Sequence, residues 1–227
     1  MKTWDDAWET ISGLNKILSN RGERLEAYLI GGIGFRYMLE KTRDEGEIHQ
    51  YRETNDIDLA THDILTVFEL AEEYDMPIGR NGTRLPTDKF KETRMMNPED
   101  PETYVDLITD HPLLEELDKE RDLTVSLNKE YEELRNLDLY VPNPDQLLRN
   151  KKKAFEDSVS RSKEKREHDL EDAKILKTYR NEIVETLKEE GSLPSDYEAG
   201  NPWPELDEMG SIEDYDKKNK PFEAEYL

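Results

Sequence analysis

Two aspartates one residue apart, Asp56 and Asp58, lie in the string Arg52-Glu53-Thr54-Asn55-Asp56-Ile57-Asp58-Leu59. Upstream, an apolar run ends in a double glycine, Tyr28-Leu29-Ile30-Gly31-Gly32. Side chains alternate along a strand, so residues i and i+2 point the same way. Both carboxylates can therefore grip one or two Mg²⁺ ions, hard cations that take oxygen ligands and also bind phosphate oxygens. The glycines suit a tight turn from a strand into a helix, whose opening N–H groups accommodate a phosphate. A third acid, Asp106, stands in the strand-like string Thr103-Tyr104-Val105-Asp106-Leu107-Ile108. An aspartate amid apolar strand residues is costly unless it is paired or bound to metal. Beside the Asp56/Asp58 strand it would complete the carboxylate cluster that two-metal phosphoryl chemistry needs. Asp106 would also serve as a base.

The elements that must position these residues follow from periodicity. Trp4, Trp8, Ile11, Leu14 and Leu18 recur at helical spacing, and Arg21-Gly22 ends that helix. Leu25 to Ile30 reads as a strand and Ile33 to Lys41 as a short helix after the glycines. A polar loop, Thr42 to Asn55, leads to an alternating strand from Asp56 to Thr61, with Ile57 and Leu59 facing away from the acids. Leu65 to Tyr74 reads as a helix offering Val67, Phe68 and Leu70 for packing. Lys89 to Met96 and Thr103 to Thr109 look like paired strands around a turn at Asn97 to Pro101. Leu123 to Leu127 and Leu137 to Val141 read as two further short strands. After Pro142-Asn143-Pro144 the chain turns helical and highly charged up to Glu190, with a break near Ser158 to Ser162.

The expected architecture is α/β (α+β): a small mixed sheet with flanking helices in residues 1–142, then a helical subdomain in 143–190. Residues 191–227 are acidic, punctuated by Pro and Gly, and expected to be extended or disordered unless Trp203, Phe222 and Tyr226 dock them. There is no internal repeat.

Of the 227 residues 38% are charged and 34% hydrophobic, and the formal net charge is −23. Such a charge opposes broad nonspecific binding to nucleic acid, which relies on a cationic surface. It equally suits a protein adapted to a salty cytoplasm. The absence of cysteine rules out disulfides, thiol catalysis and a cysteine zinc site. There is no apolar run of membrane-spanning length and no apolar signal region, so a cytoplasmic protein without membrane contact is expected. The one concentrated basic stretch runs from Arg149 to Arg166, and it reads equally as an ordinary charged helix surface or as a wall for a triphosphate or an RNA end. The four histidines have no metal-ligand spacing; only His168, next to Asp169, stands near other candidates. Trp4 and Trp8 read as core, and Arg36 as a solvated helix residue.

Taken in order, Gly31-Gly32, Asp56-x-Asp58 and Asp106 resemble the nucleotidyltransferase superfamily related to DNA polymerase beta. The string Arg52-x-Thr54-x-Asp56-x-Asp58-Leu59 is similar to its AbiEii-like branch, which includes toxins of type IV toxin–antitoxin systems. That branch carries a Lys-x-x-Ala motif and then an Asp-x-x-Asp helix; here stand Lys151-Lys152-Lys153-Ala154 and His168-Asp169-Leu170-Glu171-Asp172-Ala173. The resemblance covers roughly residues 25 to 180. It implies Asp56 and Asp58 as metal ligands, Asp106 as third ligand or base, and Gly31, Gly32 and Thr54 on the nucleotide side. It also implies Lys151 at the triphosphate and Asp169 leaning in from the helical half. The interval from Gly32 to Asp56 is 23 residues, longer than the family shows, which reads as a loop insertion at Thr42 to Tyr51. The longer basic helix leaves the critical lysine open among Lys151, Lys152 and Lys153.

The activity so implied is Mg²⁺-dependent transfer of a nucleoside monophosphate from an NTP to an acceptor hydroxyl, toxin-like, on a tRNA end or a protein, with a cognate antitoxin as partner. Two alternatives stand beside it: a non-catalytic binding module with the same fold, and a nucleotidyltransferase acting on an aminoglycoside-like small molecule.

Overall fold

The computed structural model describes residues 4–42, 54, 56–79, 82–86, 104–157 and 161–219. The expected α/β class holds: a seven-stranded mixed sheet is flanked by helices. The strands are β1 (Leu25–Ile30), β2 (Asp56–Ala60), β3 (Ile78–Gly79), β4 (Gly82–Pro86), β5 (Tyr104–Ile108), β6 (Val125–Ser126) and β7 (Leu137–Val141), in the spatial order β3-β4-β5-β2-β1-β7-β6. At its centre β2 runs antiparallel to β1 and parallel to β5, while β1 runs parallel to β7.

Helix α1 (Trp4–Arg21) buries Trp4, Ala7, Ile11, Leu14 and Leu18, one apolar stripe at helical spacing. It stops where Gly22 takes a positive φ of 70° and the N–H of Glu23 reaches back to the Leu18 carbonyl. Helix α2 (Gly31–Glu40) follows β1 without an intervening loop, and α3 (Ile64–Glu73) is capped by Asp63, whose carboxylate accepts the Thr66 N–H. Helix α5 (Pro144–Glu156) starts on a capping box. The Asn143 side chain accepts the N–H groups of Asp145 and Gln146, and the Gln146 side chain accepts the N–H of Asn143. Helix α6 (Lys163–Glu189) is capped by Ser162 and packs along α5.

Strand alternation divides the core. Leu25, Ala27, Leu29, Ile57, Leu59, Val105 and Leu107 join the main core with α1, α2, α5 and α6. Tyr28, Ile30 and Ala60 point to the opposite face, where α4 (Leu114–Lys119) covers them with Leu114 and Leu117. No helix among the described residues is long and apolar enough to cross a membrane.

Several expectations need correction. Leu123 to Leu127 is not one strand: a 3-10 turn (Arg121–Leu123) and a two-residue strand (Val125–Ser126) occupy it, because Thr124 bonds back to the Arg121 carbonyl and turns the chain. The short helix α4 before it was not anticipated. The antiparallel neighbour of β5 is Gly82–Pro86; Lys89 to Met96 and the turn at Asn97 to Pro101 lie outside the described residues, as does most of the loop from Thr42 to Asn55. Arg36 is not solvated but buried, with Nε donating to Glu40 at 2.8 Å.

The stretch after Gly191, expected to be extended or disordered, is packed as far as residue 219. It forms a 3-10 turn (Pro204–Glu208) and helix α7 (Ile212–Asn219). Trp203, Leu206 and Ile212 are buried, with the Trp203 ring 5.3 Å from that of Phe155. Its acids meet the basic helices: Asp216 pairs with Arg166 at 2.8 Å, Asp207 with Lys177 at 2.8 Å, and Glu213 with Lys163. Low periodicity hid a segment that is ordered by anchors and charge complementarity rather than by an amphipathic face. Phe222 and Tyr226 lie outside the described residues.

Candidate functional site

Strand register brings the acids together. Asp58 on β2 stands opposite Asp106 on β5 and Ile30 on β1. Asp56, Asp58 and Asp106 each offer one carboxylate oxygen, and these oxygens all lie within 4.8 Å of one another. All three are half-buried, while the alternating Ile57, Leu59, Val105 and Leu107 are fully buried behind them. Thr54 fixes one of the acids: its hydroxyl donates to Asp56 Oδ1 at 2.6 Å.

Burial, and then the neighbouring carboxylates of Asp56 and Asp106, push Asp58 up to about 7, against the opposing pull of Lys151 and Arg161. Like charges this close cannot all ionise cheaply. An all-oxygen donor set under mutual repulsion suits a hard divalent cation such as Mg²⁺, which would relieve it.

The double glycine is not a turn ahead of the helix; α2 begins at Gly31 itself. Gly31 has a φ of +66°, and a Cβ there would lie 1.9 Å from Asp58 Oδ2. Only glycine serves, both for the backbone conformation and for the room the carboxylate takes. A Cβ on Gly32 would press on Thr54 at 3.2 Å. Ile30 supplies no side-chain cap to α2.

The facing wall comes from α5 and α6. Lys151 is buried, its Nζ 3.1 Å from Asp169 Oδ1 and also bonded to Asp172. Arg161 Nη1 donates to the other Asp169 oxygen at 2.7 Å. Asp169, Asp172 and Lys151 are buried, whereas Arg161, which joins them through Asp169, has a side chain 40% exposed. The three candidate lysines separate here. Lys152 points to Glu156 and Glu205, Lys153 bonds Glu116 at 2.6 Å, and Lys151 alone of the three lines the cavity.

That cavity encloses about 1140 Å³. Gly31, Gly32, Thr54, Asp56, Asp58, Asp106, Lys151 and Asp169, all the residues singled out in the sequence, lie on its wall. Asp169 reaches it with both oxygens held by cations, which makes it a holder of Lys151 and Arg161. Arg161, Lys165 and His168 also line the cavity. The sequence marked Arg161 and Lys165 only as parts of a basic stretch and His168 only as the neighbour of Asp169; Lys165 and His168, three residues apart, share a face of α6, and Arg161 lies just before its Ser162 cap. His111, in the turn after β5, lines it too. Burial and the nearby Arg161 and Lys153 push its imidazole down to about 4. Nothing in the sequence marks His111, since its place depends on how the chain leaves the strand. Trp4 and Trp8 sit apart in an aromatic cluster, Trp8 stacked 3.9 Å from Tyr131.

Comparison of the chain with protein-family models, curated proteins and solved structures finds no match. The cavity sets carboxylates on its strand side against lysine and arginine on its helical side.

Proposed function

We propose that this protein is a Mg²⁺-dependent nucleotidyltransferase that moves a nucleoside monophosphate from an NTP to an acceptor hydroxyl. The observation that carries the reading is the Asp56/Asp58/Asp106 cluster facing Lys151 and Arg161 across one cavity. Asp56, Asp58 and Asp106 would hold the cation. Bound there, Mg²⁺ supplies charge neutralisation for the phosphates and a lowered pKa for the attacking hydroxyl.

The acceptor oxygen attacks the α-phosphorus, the bond from that phosphorus to the bridging oxygen breaks, and pyrophosphate leaves. Asp106 is the residue to accept the hydroxyl proton in its role as base. Gly31 and Gly32, on the nucleotide side of the cavity, leave the room that Asp58 and Thr54 occupy, and Thr54 orients Asp56. Lys151 and Arg161, steadied by Asp169 and Asp172, offset the charge of the triphosphate. Most of the catalysis is thus positioning and electrostatics.

The resemblance favours a toxin-like, cytoplasmic role on a tRNA end or a protein hydroxyl, with an antitoxin as partner. The net charge of −23 favours a second reading, in which the acceptor is a cationic small molecule of the aminoglycoside kind. A non-catalytic module would bind Mg²⁺ and nucleotide without turnover. Phosphate products decide between these. Each NTP is incubated with Mg²⁺ and, in turn, tRNA, protein or an aminoglycoside. Release of pyrophosphate that needs one acceptor supports the transferase and names its acceptor class. Orthophosphate alone, or no product despite bound nucleotide, would defeat it.

A further inference from the structure

His111 has no part in the chemistry above, yet it is held as a binding group would be. It lies five residues beyond Asp106, where the chain turns from β5 towards α4. The turn is rigid: the His111 carbonyl accepts the Leu114 N–H at 3.0 Å, and Leu113 and Leu114 are buried in the smaller core. The ring is fixed as well, since its Nδ1 lies 3.3 Å from the Leu113 N–H. A nitrogen that accepts a backbone N–H carries no proton of its own, so in the neutral ring the proton sits on Nε2. Nε2 has no partner among the described residues, and His111 is one of the residues that line the cavity. The charges that act on the ring are cationic, Arg161 and Lys153, and they oppose a second proton.

We propose that His111 is a nucleotide-binding residue, a neutral imidazole whose Nε2–H donates a hydrogen bond to a phosphoryl oxygen of the NTP. The inference rests on the nucleotide-binding part of the proposed function and not on turnover. A phosphate oxygen is the fitting acceptor because His111 and Arg161 line the same cavity and the charges that act on the ring, Arg161 and Lys153, are cationic. A neutral donor adds a contact there without adding repulsion between cations.

The test is calorimetric binding of α,β-methylene NTP analogues with Mg²⁺ to the full chain, using the analogue that binds wild type best. A hydrogen bond to a charged group implies that His111→Ala weakens binding about tenfold or more. His111→Gln, whose amide N–H₂ reaches a similar position, should stay within about threefold of wild type because it keeps the donor. Thermal melting checks that each variant is folded, and His111→Phe, which keeps the ring bulk without the donor, replaces an alanine variant that is not. Loss in Ala or Phe with rescue in Gln supports the assignment. Equal binding in wild type and His111→Ala overturns it. Equal loss in the Gln and Phe variants, both folded, overturns it too, because shape rather than the donor would then be what matters. If wild type binds no analogue, the nucleotide reading itself fails, and the inference with it.

Discussion

At the scale of single residues the site turns on Asp58 and Gly31. The folded protein holds Asp58 near 7, above the ordinary aspartate value of 3.8. A raised carboxyl pKa means that the folded state favours the proton. The associated stability is therefore full below the unfolded value and is lost as pH rises through about 7. Asp58→Asn removes the penalty. Without divalent cation the variant should match wild type near pH 4 and exceed it at pH 8, by on the order of 2–4 kcal/mol. That range sits below the full shift because Asp58 keeps some surface open to the cavity. Urea denaturation in EDTA at the two pH values measures it, and a difference that stays constant with pH would contradict the account. Adding Mg²⁺ at pH 8 should raise the melting temperature of wild type but not of the variant. Gly31→Ala meets both a positive φ and the Asp58 carboxylate. It should cost at least about 2 kcal/mol in the same denaturation assay. The acids were legible in the sequence because alternation places Asp56 and Asp58 on one face. The role of Gly31 was only half legible: its spacing suggested a phosphate turn, whereas contact with Asp58 depends on the pairing of β1 with β2.

At the scale of elements, the acids are aligned by parallel pairing of β2 with β5, and the cations by the α5–α6 pair. Lys151 lies between two buried carboxylates. Lys151→Met would strand them, an effect of about 3–5 kcal/mol, whereas Lys152→Ala and Lys153→Ala, which break exposed pairs, should stay within about 1 kcal/mol. Denaturation midpoints of the three variants test whether Lys151 is the one that joins the helices at the site. Strands β1, β2, β5 and β7 and helices α1, α5 and α6 were readable because each has a clear period or cap, such as the Asn143-Pro144 start of α5. Helix α4 was not, since six residues carry too little period to stand out among charges. Lys165 and His168 were visible as one face, with Arg161 just ahead of it, only once the cap of α6 at Ser162 was fixed.

At the scale of the molecule, a net charge of −23 works against compactness, while the acidic tail is tied to the basic helices by ion pairs and by Trp203. Raising salt from 0.1 M to 1 M KCl shortens the screening length from about 10 to about 3 Å. The relief of self-repulsion should outweigh the weakening of exposed pairs and raise the melting temperature by several degrees. A fall would show that the pairs dominate. Trp203→Ala opens a cavity beside Phe155 and should cost about 3–5 kcal/mol, which denaturation of the full chain measures. The whole assembly has its point in the cavity between sheet and helices, and the central claim is that a nucleotide reacts there. The most direct test is transfer of label from each α-³²P NTP, with Mg²⁺, into RNA, protein and small-molecule acceptors, with Asp56→Ala/Asp58→Ala beside wild type. Label is expected in one acceptor class with wild type and none with the variant. Label that persists in the variant, or no transfer from any NTP to any acceptor, would contradict the claim.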